Sequence, residues 1–173
     1  MNYLEKLKDI TTFIFDIDGV FTDGSLYLMP SGDMCRAMNV LDGYAVVKAL
    51  RNGYRVGIIT GGDDPMVRRR IRYLGIEDYY AKSYDKKKDY EHFKAKYFLK
   101  DEEILAMGDD LPDRPVLEAC HIATCPENAV DEIKKVSEYI SSKKGGAGAV
   151  RDVIERVMMV QGTWDGNDRV RSV

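Results

Sequence analysis

The fold is decided by the stretch Thr12-Phe13-Ile14-Phe15-Asp16-Ile17-Asp18-Gly19-Val20. Its first four residues are apolar or β-branched on both faces, which is typical of a strand buried in the middle of a parallel sheet. Two later stretches repeat the pattern: residues 56–59 precede Thr60-Gly61-Gly62, and residues 104–107 precede Gly108-Asp109-Asp110. Three buried strands that each end in polar residues predict an α/β fold.

Helical patterns between these strands predict a Rossmann-like parallel sheet with helices on both faces. We expect four main helices, at about residues 42–52 (capped by Asp42), 64–74, 86–97 and 149–161, and a further helix that starts near Asn128. Shorter strands are expected near residues 79–80 and at residues 122–123. The glycine-rich segment 143–148 predicts a flexible joint before the last helix.

A β-hairpin insertion is expected after the first strand, at about residues 24–39. Pro30-Ser31-Gly32-Asp33 is a strong turn signal between residues 25–29 and residues 34–39. Residues 1–161 are predicted to form a single domain. Residues 162–173 are expected to form a flexible C-terminal tail, in which Trp164 has a packing role against a neighbour.

The composition excludes several classes of protein. The 173 residues carry 26 Lys and Arg against 29 Asp and Glu, so the basic excess of a nucleic-acid-binding protein is missing. No apolar run approaches the ~18 residues of a membrane span, and the first nine residues lack the apolar core of a signal peptide. The cysteines at 35, 120 and 125 lack the spacing of a zinc site. We therefore expect a cytoplasmic protein without a nucleic-acid or membrane partner.

The polar ends of the three strands are expected to converge on one site. The carboxyl ends of parallel strands lie at the same edge of a sheet, which is where ligands bind in such folds. The converging side chains are Asp16, Asp18, Thr60, Asp109, Asp110 and Asp113. Two carboxylates about 4 Å apart repel each other by about 4 kcal/mol in a partly buried setting. The site therefore needs a neutralising cation.

The chemistry of the cluster indicates which cation and which substrate class it suits. Oxygen ligands without His or Cys favour Mg2+, and glycine-rich turns with free N–H groups suit a phosphate. No Ser, Cys or His lies in the cluster beside a base. We therefore expect an aspartate to attack phosphorus itself and to form an aspartyl-phosphate.

The motifs at residues 15–20, 59–61 and 108–113 resemble those of the haloacid dehalogenase (HAD) superfamily of phosphatases. A hairpin in place of a cap domain is similar to its small capless branch. Within that branch, residues 20–24, 41–44 and 145–151 resemble phosphatases of 3-deoxy-D-manno-octulosonate 8-phosphate (KDO 8-phosphate), which serve lipopolysaccharide sugar biosynthesis. The resemblance implies a HAD-like fold and a Mg2+-dependent phosphomonoesterase that releases the sugar acid and phosphate.

The resemblance also implies roles for the acidic and hydroxyl residues. Asp16 would be the nucleophile and a metal ligand. Asp18 would be the general acid and base, and its backbone carbonyl would bind the metal. Asp109 would bind the metal directly, while Thr60 and the N–H groups after Asp16 and Thr60, that of Gly61 included, would hold phosphoryl oxygens.

The basic residues and the remaining acids receive supporting roles from the same resemblance. Lys86, which stands beside Lys87 and Lys88 at a helix start, would balance the phosphate charge. Asp113 would orient water or the lysine, and Asp110 is expected to cap the helix that follows.

Two arginines are candidates for binding the carboxylate of a sugar acid. Arg70 lies on the flank of the apolar stripe of its helix, where it could make a bidentate contact or could simply extend into solvent. Arg151 follows the glycine segment, and the resemblance implies that such a tail reaches the active site of a neighbouring subunit. A solvated helix position is the alternative for Arg151.

The hairpin predicts self-association. Its Leu, Tyr and Met side chains at residues 26–29 and 34–38 cannot be buried by a two-stranded ribbon alone. Pairing of hairpins between subunits would cover them, and the resemblance implies a homotetramer.

Three alternatives to the KDO 8-phosphate phosphatase remain. Phosphatases of nonulosonate 9-phosphates share most of the motifs. A non-catalytic, phosphatase-like oligomerisation module is disfavoured because Asp16, Asp18, Thr60 and Asp109 are all present. A phospho-receiver signalling domain is disfavoured because the second buried strand ends in Thr60 instead of an aspartate.

Overall fold

The buried stretches of the sequence form a central parallel sheet in the computed structural model, which describes residues 2–165. The strands in chain order are β1 (Thr12–Phe15), β2 (Tyr27–Leu28), β3 (Met34–Cys35), β4 (Arg55–Ile59), β5 (Asp78–Tyr80), β6 (Ile104–Met107), β7 (Ile122–Cys125) and β8 (Tyr139–Ile140). The six-stranded sheet has the order β5-β4-β1-β6-β7-β8, and β2 and β3 pair separately as an antiparallel hairpin.

The register of the central strands determines where the polar residues leave the sheet. Strand β1 lies between β4 and β6, and Phe15 pairs with Ile58 on one side and with Met107 on the other. The N–H of Asp16 still donates to the carbonyl of Met107, at 3.2 Å. The residues that follow β1, β4 and β6 therefore emerge side by side at one edge.

Helices cover both faces of the sheet, as the sequence predicts. They are α1 (Tyr3–Lys6), α2 (Val40–Arg51), α3 (Pro65–Leu74), α4 (Lys86–Tyr97), α5 (Arg114–Leu117), α6 (Asp131–Val136) and α7 (Ala149–Val160), with 3-10 turns at Asp101–Glu103 and Leu111–Asp113. Phe13 and Phe15 pack with α2, α3 and α7, whereas Ile14 packs with α4, α5 and α6. This alternation within β1 buries both of its faces and confirms the predicted α/β architecture.

Helix α3 follows directly from local sequence signals. The side chain of Asp64 accepts from the N–H groups of Met66 and Val67, Pro65 occupies the first turn, and Gly75 ends the helix at a φ of +94°. The predicted stripe of Val67, Ile71 and Leu74 is buried against the sheet.

Two predicted helix starts are wrong. Asn39, and not Asp42, caps helix α2, because the Asn39 side chain accepts from the N–H of Leu41. Asp42 lies buried inside α2 and instead accepts, at 2.9 Å, from the N–H of Arg151 in the first turn of α7. Helix α6 begins at Asp131 instead of near Asn128, and Asn128 accepts from the N–H of Gly145 at 2.9 Å.

The glycine-rich segment 143–148 is held in place and does not form the flexible joint expected from its composition. The N–H of Gly146 donates to the carbonyl of Val20, at 3.0 Å. A Cβ atom on Gly145 would lie 1.8 Å from the carbonyl oxygen of Gly19. Only glycine allows this approach, because any side chain would collide with the turn that follows β1.

The described part of the C-terminal segment is also packed. Trp164 is 8% exposed, and its ring contacts that of Tyr44 edge-on at 6.3 Å between centroids. The Nζ of Lys48 lies 4.6 Å from the Trp164 ring centroid, a favourable cation–π distance. The expected packing role of Trp164 is therefore confirmed, and its neighbours are Tyr44 and Lys48 of the same chain. The rest of the predicted tail, residues 166–173, lies outside the described residues.

The hairpin occupies its predicted position, but its paired strands are short. Strands β2 and β3 have two residues each, and the apolar side chains of this region face outward, with Leu28 77% exposed. Within residues 2–165, no helix combines the length and the apolar character that a membrane crossing requires.

Candidate active site

Asp16, Lys86 and Asp113 form a buried charge cluster at the carboxyl edge of the sheet. The Nζ of Lys86 lies 2.8 Å from Asp16 Oδ2 and 2.6 Å from Asp113 Oδ1. Lys86 reaches the site because it begins helix α4, which Asp85 caps by accepting from the N–H of Lys88. Lys87 points elsewhere and pairs with Glu91. The structure therefore brings Lys86, the predicted lysine, to the aspartates.

Asp109 joins this cluster through the loop after β6. The Oδ2 atom of Asp113 accepts from the N–H of Asp109 at 2.9 Å, which folds the loop back on itself. Asp110 accepts from the N–H of Leu111 and caps the 3-10 turn, as expected. Gly19, at a φ of +84°, leaves space for the Asp109 carboxylate, because a Cβ atom there would lie 1.9 Å from its Oδ2 atom.

The carboxyl groups of the cluster outnumber its positive charges, and their pKa values reflect this imbalance. Burial, followed by repulsion from Asp113, raises the pKa of Asp16 to about 6, although Lys86 partly offsets both effects. Burial, Asp113 and Asp16 raise the pKa of Asp109 to about 7. Burial lowers the pKa of Lys86, but Asp113 and Asp16 outweigh this effect and raise it above its ordinary value. One ammonium group thus faces three carboxyl groups.

The donor atoms of this cluster fit a hard divalent cation. Asp16, Asp109 and Asp113 each offer one oxygen, and these three atoms lie within 4.8 Å of one another. All are carboxylate oxygens, which are the ligands that Mg2+ prefers. The metal ligands predicted from the sequence are Asp16, Asp18 and Asp109. In the structure, the carboxylate that joins Asp16 and Asp109 is that of Asp113 instead of Asp18.

Asp18 is held by Arg36, a residue that the sequence analysis does not assign to the site. The guanidinium donates from Nε to Asp18 Oδ1 at 2.6 Å and from Nη2 to Asp18 Oδ2 at 3.2 Å. Its Nη1 donates to Asp64 Oδ2 at 2.9 Å. The Arg36 side chain is only 8% exposed. Arg36 follows β3 and therefore ties the hairpin to the turn after β1 and to the start of α3.

Thr60 and Gly61 line the other side of the site. The buried Thr60 uses its N–H for the carbonyl of Tyr80 and its carbonyl for the N–H of Ser83, so its hydroxyl is the group that remains for a ligand. Of the N–H groups predicted to bind phosphate, that of Ile17 donates to Asp16 Oδ1 at 2.7 Å. Thr60 and Gly61 border an open cavity of about 550 Å³, which is also lined by Asp16, Asp18, Lys86, Asp109, Asp110 and Asp113.

The two candidate arginines for a substrate carboxylate are not among the residues that border this cavity. The guanidinium of Arg70 lies over the ring of Tyr73, at 5.6 Å from its centroid. Arg151 pairs with Glu155 at 3.0 Å and stacks on the ring of Trp164. Within one chain, neither arginine is brought together with the aspartates.

Two residues near the site were not predicted: Arg36, which binds Asp18, and Tyr84, which borders the cavity. The sequence contains one indication for each of them. Arg36 is a lone charged residue within the otherwise apolar run of residues 34–38, and such a residue needs a partner if it is buried. Tyr84 lies two residues before Lys86, so it stands beside the predicted phosphate-binding lysine.

Comparison with known proteins agrees with this geometry. A family model of haloacid dehalogenase-like hydrolases matches residues 32–121. The 3-deoxy-D-manno-octulosonate 8-phosphate phosphatase KdsC of Escherichia coli K12 is 33% identical over 162 residues, covering 94% of this chain and 86% of the relative.

Solved structures show the same similarity in three dimensions. The 3-deoxy-D-manno-octulosonate 8-phosphate phosphatase of Yersinia pestis superimposes with a TM-score of 0.92 at 31% identity, covering 94% of this chain and 88% of the other. The corresponding phosphatase of Moraxella catarrhalis, in complex with a magnesium ion, a phosphate ion and KDO, gives a TM-score of 0.90 at 31% identity, covering 93% and 92%. The chain therefore belongs to the haloacid dehalogenase-like hydrolase family.

Proposed function

We propose that this protein is a Mg2+-dependent phosphatase that hydrolyses KDO 8-phosphate to the free sugar acid and phosphate. The observation that carries the proposal is the partly buried cluster of Asp16, Lys86, Asp109 and Asp113, which needs further positive charge and opens into a cavity. The substrate is supported by the similarity to KdsC of Escherichia coli and to the Moraxella catarrhalis phosphatase that binds magnesium, phosphate and KDO.

We assign the cation to the carboxylates of Asp16 and Asp109 and to the backbone carbonyl of Asp18. This choice follows the ligand set that the family resemblance implies, since both Asp16 and Asp113 have partners on both oxygens. Asp113 differs in that its Oδ2 atom accepts from the N–H groups of Asp109 and Asp110, while its Oδ1 atom accepts from Lys86. Asp113 therefore serves to hold Lys86 and the Asp109 loop. When bound, Mg2+ supplies positive charge that offsets repulsion between the Asp16 carboxylate and an incoming phosphate dianion.

Asp16 carries out the first chemical step in this proposal. One of its carboxylate oxygens forms a bond to phosphorus while the bond from phosphorus to the sugar oxygen breaks. Asp18 donates a proton to the departing sugar oxygen, so the sugar acid leaves as a neutral alcohol at that position. Lys86, the Thr60 hydroxyl and the N–H of Gly61 hold the phosphoryl oxygens.

The second step releases phosphate from Asp16. A water molecule attacks the phosphorus of the aspartyl-phosphate, Asp18 accepts its proton, and the bond from phosphorus to Asp16 breaks. Arg36 orients Asp18 between these steps, since it binds both oxygens of that carboxylate. Proton transfer requires that one Asp18 oxygen be released from Arg36 as the substrate binds.

An assay of phosphate release tests the substrate and the metal together. KDO 8-phosphate, a nonulosonate 9-phosphate and glycerol 3-phosphate are compared with Mg2+ and with excess chelator. We expect the highest kcat/KM for KDO 8-phosphate and loss of activity with chelator. Preference for the nonulosonate ester would reassign the substrate, and no release from any ester would identify a non-catalytic module. Intact-mass analysis after rapid quenching should detect a phosphoryl group on the chain during turnover.

We further propose that the chain forms a homotetramer through its hairpin. Leu26, Tyr27, Leu28, Met29 and Met34 are all exposed in the single chain, and burying them between subunits is favourable. Light scattering should give a tetramer mass that Leu28→Asp lowers. Phe98→Asp serves as the control, because Phe98 is equally apolar and 93% exposed but lies on another surface. A monomer in the unsubstituted protein would contradict the assignment.

A cytoplasmic location is consistent with the cysteines. Cys35, Cys120 and Cys125 are free thiols in the described residues, and Cys35 is exposed. Free exposed thiols persist in reducing compartments. We propose the cytoplasm as the site of action on this basis.

A further inference from the structure

The loop between β5 and α4, residues 81–85, presents an aromatic side chain at the cavity. Tyr84 borders the cavity and is 92% exposed in the single chain. Lys82, two residues earlier, has a left-handed backbone conformation with a φ of +52°. Residues other than glycine adopt this region at a cost in free energy, and such strain is found preferentially at functional sites.

The backbone of this loop is held on both sides of Tyr84. The N–H of Lys82 donates to the carbonyl of Gly62 at 3.2 Å, and the N–H of Ser83 donates to the carbonyl of Thr60 at 3.0 Å. On the other side, Asp85 caps helix α4. The position of Tyr84 is therefore defined by Thr60 and Gly62, which follow β4, and by the helix that begins with Lys86, even though its ring contacts mostly solvent.

The residues that line the cavity differ in charge and in burial, from the buried Lys86 and Asp113 to the exposed Tyr84. The proposed function commits Asp16, Lys86, Asp109 and Asp113 to phosphoryl transfer, and all four line the cavity. A volume of about 550 Å³ falls in the range of sites for small organic ligands, so the cavity leaves room for the leaving group. Among the described residues that border it, Tyr84 has the only aromatic ring.

We propose that Tyr84 determines leaving-group specificity by forming the wall on which the sugar ring of the substrate packs. This inference rests on the proposed function and adds to it the residue that recognises the leaving group. A tyrosine ring offers an apolar face to the C–H groups of a sugar while its hydroxyl remains in water. Such a contact is made equally in the bound substrate and in the transition state, so it affects KM more than kcat.

Steady-state kinetics of Tyr84→Ala and Tyr84→Phe test the proposal. The substrates are KDO 8-phosphate and glycerol 3-phosphate, which has no ring. We expect Tyr84→Ala to raise KM for the sugar phosphate by roughly 3- to 10-fold, the value of one aromatic contact, with little change in kcat and none for glycerol 3-phosphate. Tyr84→Phe keeps the ring face and should behave as the unsubstituted protein.

Phe98→Ala provides a matched control. Phe98 is 93% exposed and does not border the cavity, so this substitution should leave both substrates unchanged. Equal loss on both substrates in Tyr84→Ala would overturn the proposal and indicate a role in positioning Lys86. Unchanged kinetics on both would overturn it as well, as would loss of the oligomer, which would place Tyr84 at a subunit interface.

The same data separate this proposal from the proposed function. Activity of the unsubstituted protein on KDO 8-phosphate tests the function, whereas the ratio of variant to unsubstituted protein tests Tyr84. If another cyclic sugar phosphate is the better substrate, the ratio is measured on that ester. If no ester is hydrolysed, both proposals are wrong.

Discussion

Asp16 is partly buried and Asp42 is fully buried, and the pKa values of both are raised to about 6, mainly by loss of solvent, yet their surroundings differ. Asp42 faces the N–H groups at the start of helix α7, including that of Arg151 at 2.9 Å. Asp16 faces Asp113, Lys86 and an open cavity. Helix N-termini stabilise a carboxylate without any ligand. A raised pKa therefore does not distinguish a catalytic acid from a structural one, whereas convergence of like charges on a cavity does.

The largest expected effect comes from exchanging each aspartate for its neutral isostere. Asp16→Asn should lower kcat by about 10^4-fold or more, because an amide does not attack phosphorus. Asp42→Asn should leave kcat/KM within about threefold, since Asp42 does not border the cavity. Phosphate release with Mg2+ present measures both. Equal loss of activity in Asp16→Asn and Asp42→Asn would contradict the assignment of a catalytic role to Asp16 and a structural role to Asp42.

The next effect concerns the single cation within the cluster. Lys86→Met should lower kcat/KM by about 10²- to 10³-fold, as removal of a charged group that binds the reacting oxygens does elsewhere. Lys87→Met is the matched control, because Lys87 pairs with Glu91. We expect it to match the unsubstituted protein in the same assay. Loss of activity in the Lys87 variant instead would reassign the lysine.

A third effect is the pH dependence of stabilisation by Mg2+. The pKa values of Asp16, about 6, and Asp109, about 7, lie above the ordinary 3.8, so the folded protein retains protons that the unfolded chain has released. Without metal, stability contributed by these groups therefore falls as the pH rises from about 4 to 7. Mg2+ binds the ionised carboxylates. At a pH below the pKa values of Asp16 and Asp109, Mg2+ must therefore displace the protons that these groups hold.

Thermal unfolding with and without Mg2+ measures this effect. At pH 8 and a concentration about 100 times Kd, Mg2+ should raise Tm by about 5–10 °C. The increase should be much smaller at pH 5.5, and Asp109→Asn should reduce it at both pH values. Asp42→Asn should retain it. A Tm increase that does not depend on pH would contradict the assigned ligands.

The smallest effect is on stability alone. Asp42→Ala should lower the free energy of unfolding by about 1–3 kcal/mol, because the N–H groups of α7 lose their acceptor. The folded pKa of Asp42 exceeds its unfolded value, so its contribution weakens as the pH rises from about 4 to 6. Urea unfolding at pH 5 and pH 8 should therefore show the larger loss at pH 5. A larger loss of stability at pH 8 than at pH 5 would contradict the raised pKa of Asp42 in the folded protein.

Much of the fold could be predicted because its signals are local. Buried runs such as residues 104–107 and caps such as Asp64 define strands and helices from neighbouring residues alone. The convergence of Asp16, Thr60 and Asp109 could also be predicted, since parallel strands present their carboxyl ends at one edge.

The remaining features depend on contacts between distant residues. Arg36 reaches Asp18 only through the course of the hairpin, and Asp42 caps a helix that begins more than a hundred residues later. An acid that caps another helix has the same local sequence as one that caps its own. The partners of Trp164 could not be named from the sequence, because Tyr44 and Lys48 belong to helix α2, more than a hundred residues earlier.

The contact between Gly145 and the carbonyl of Gly19 has a consequence for synthesis of the chain. The turn that follows β1 and Asp16 is supported by a segment that is translated more than a hundred residues later. A nascent chain that stops before residue 145 has β1 and β4 but lacks that support. We therefore expect products truncated before residue 145 to lack the proposed phosphatase activity.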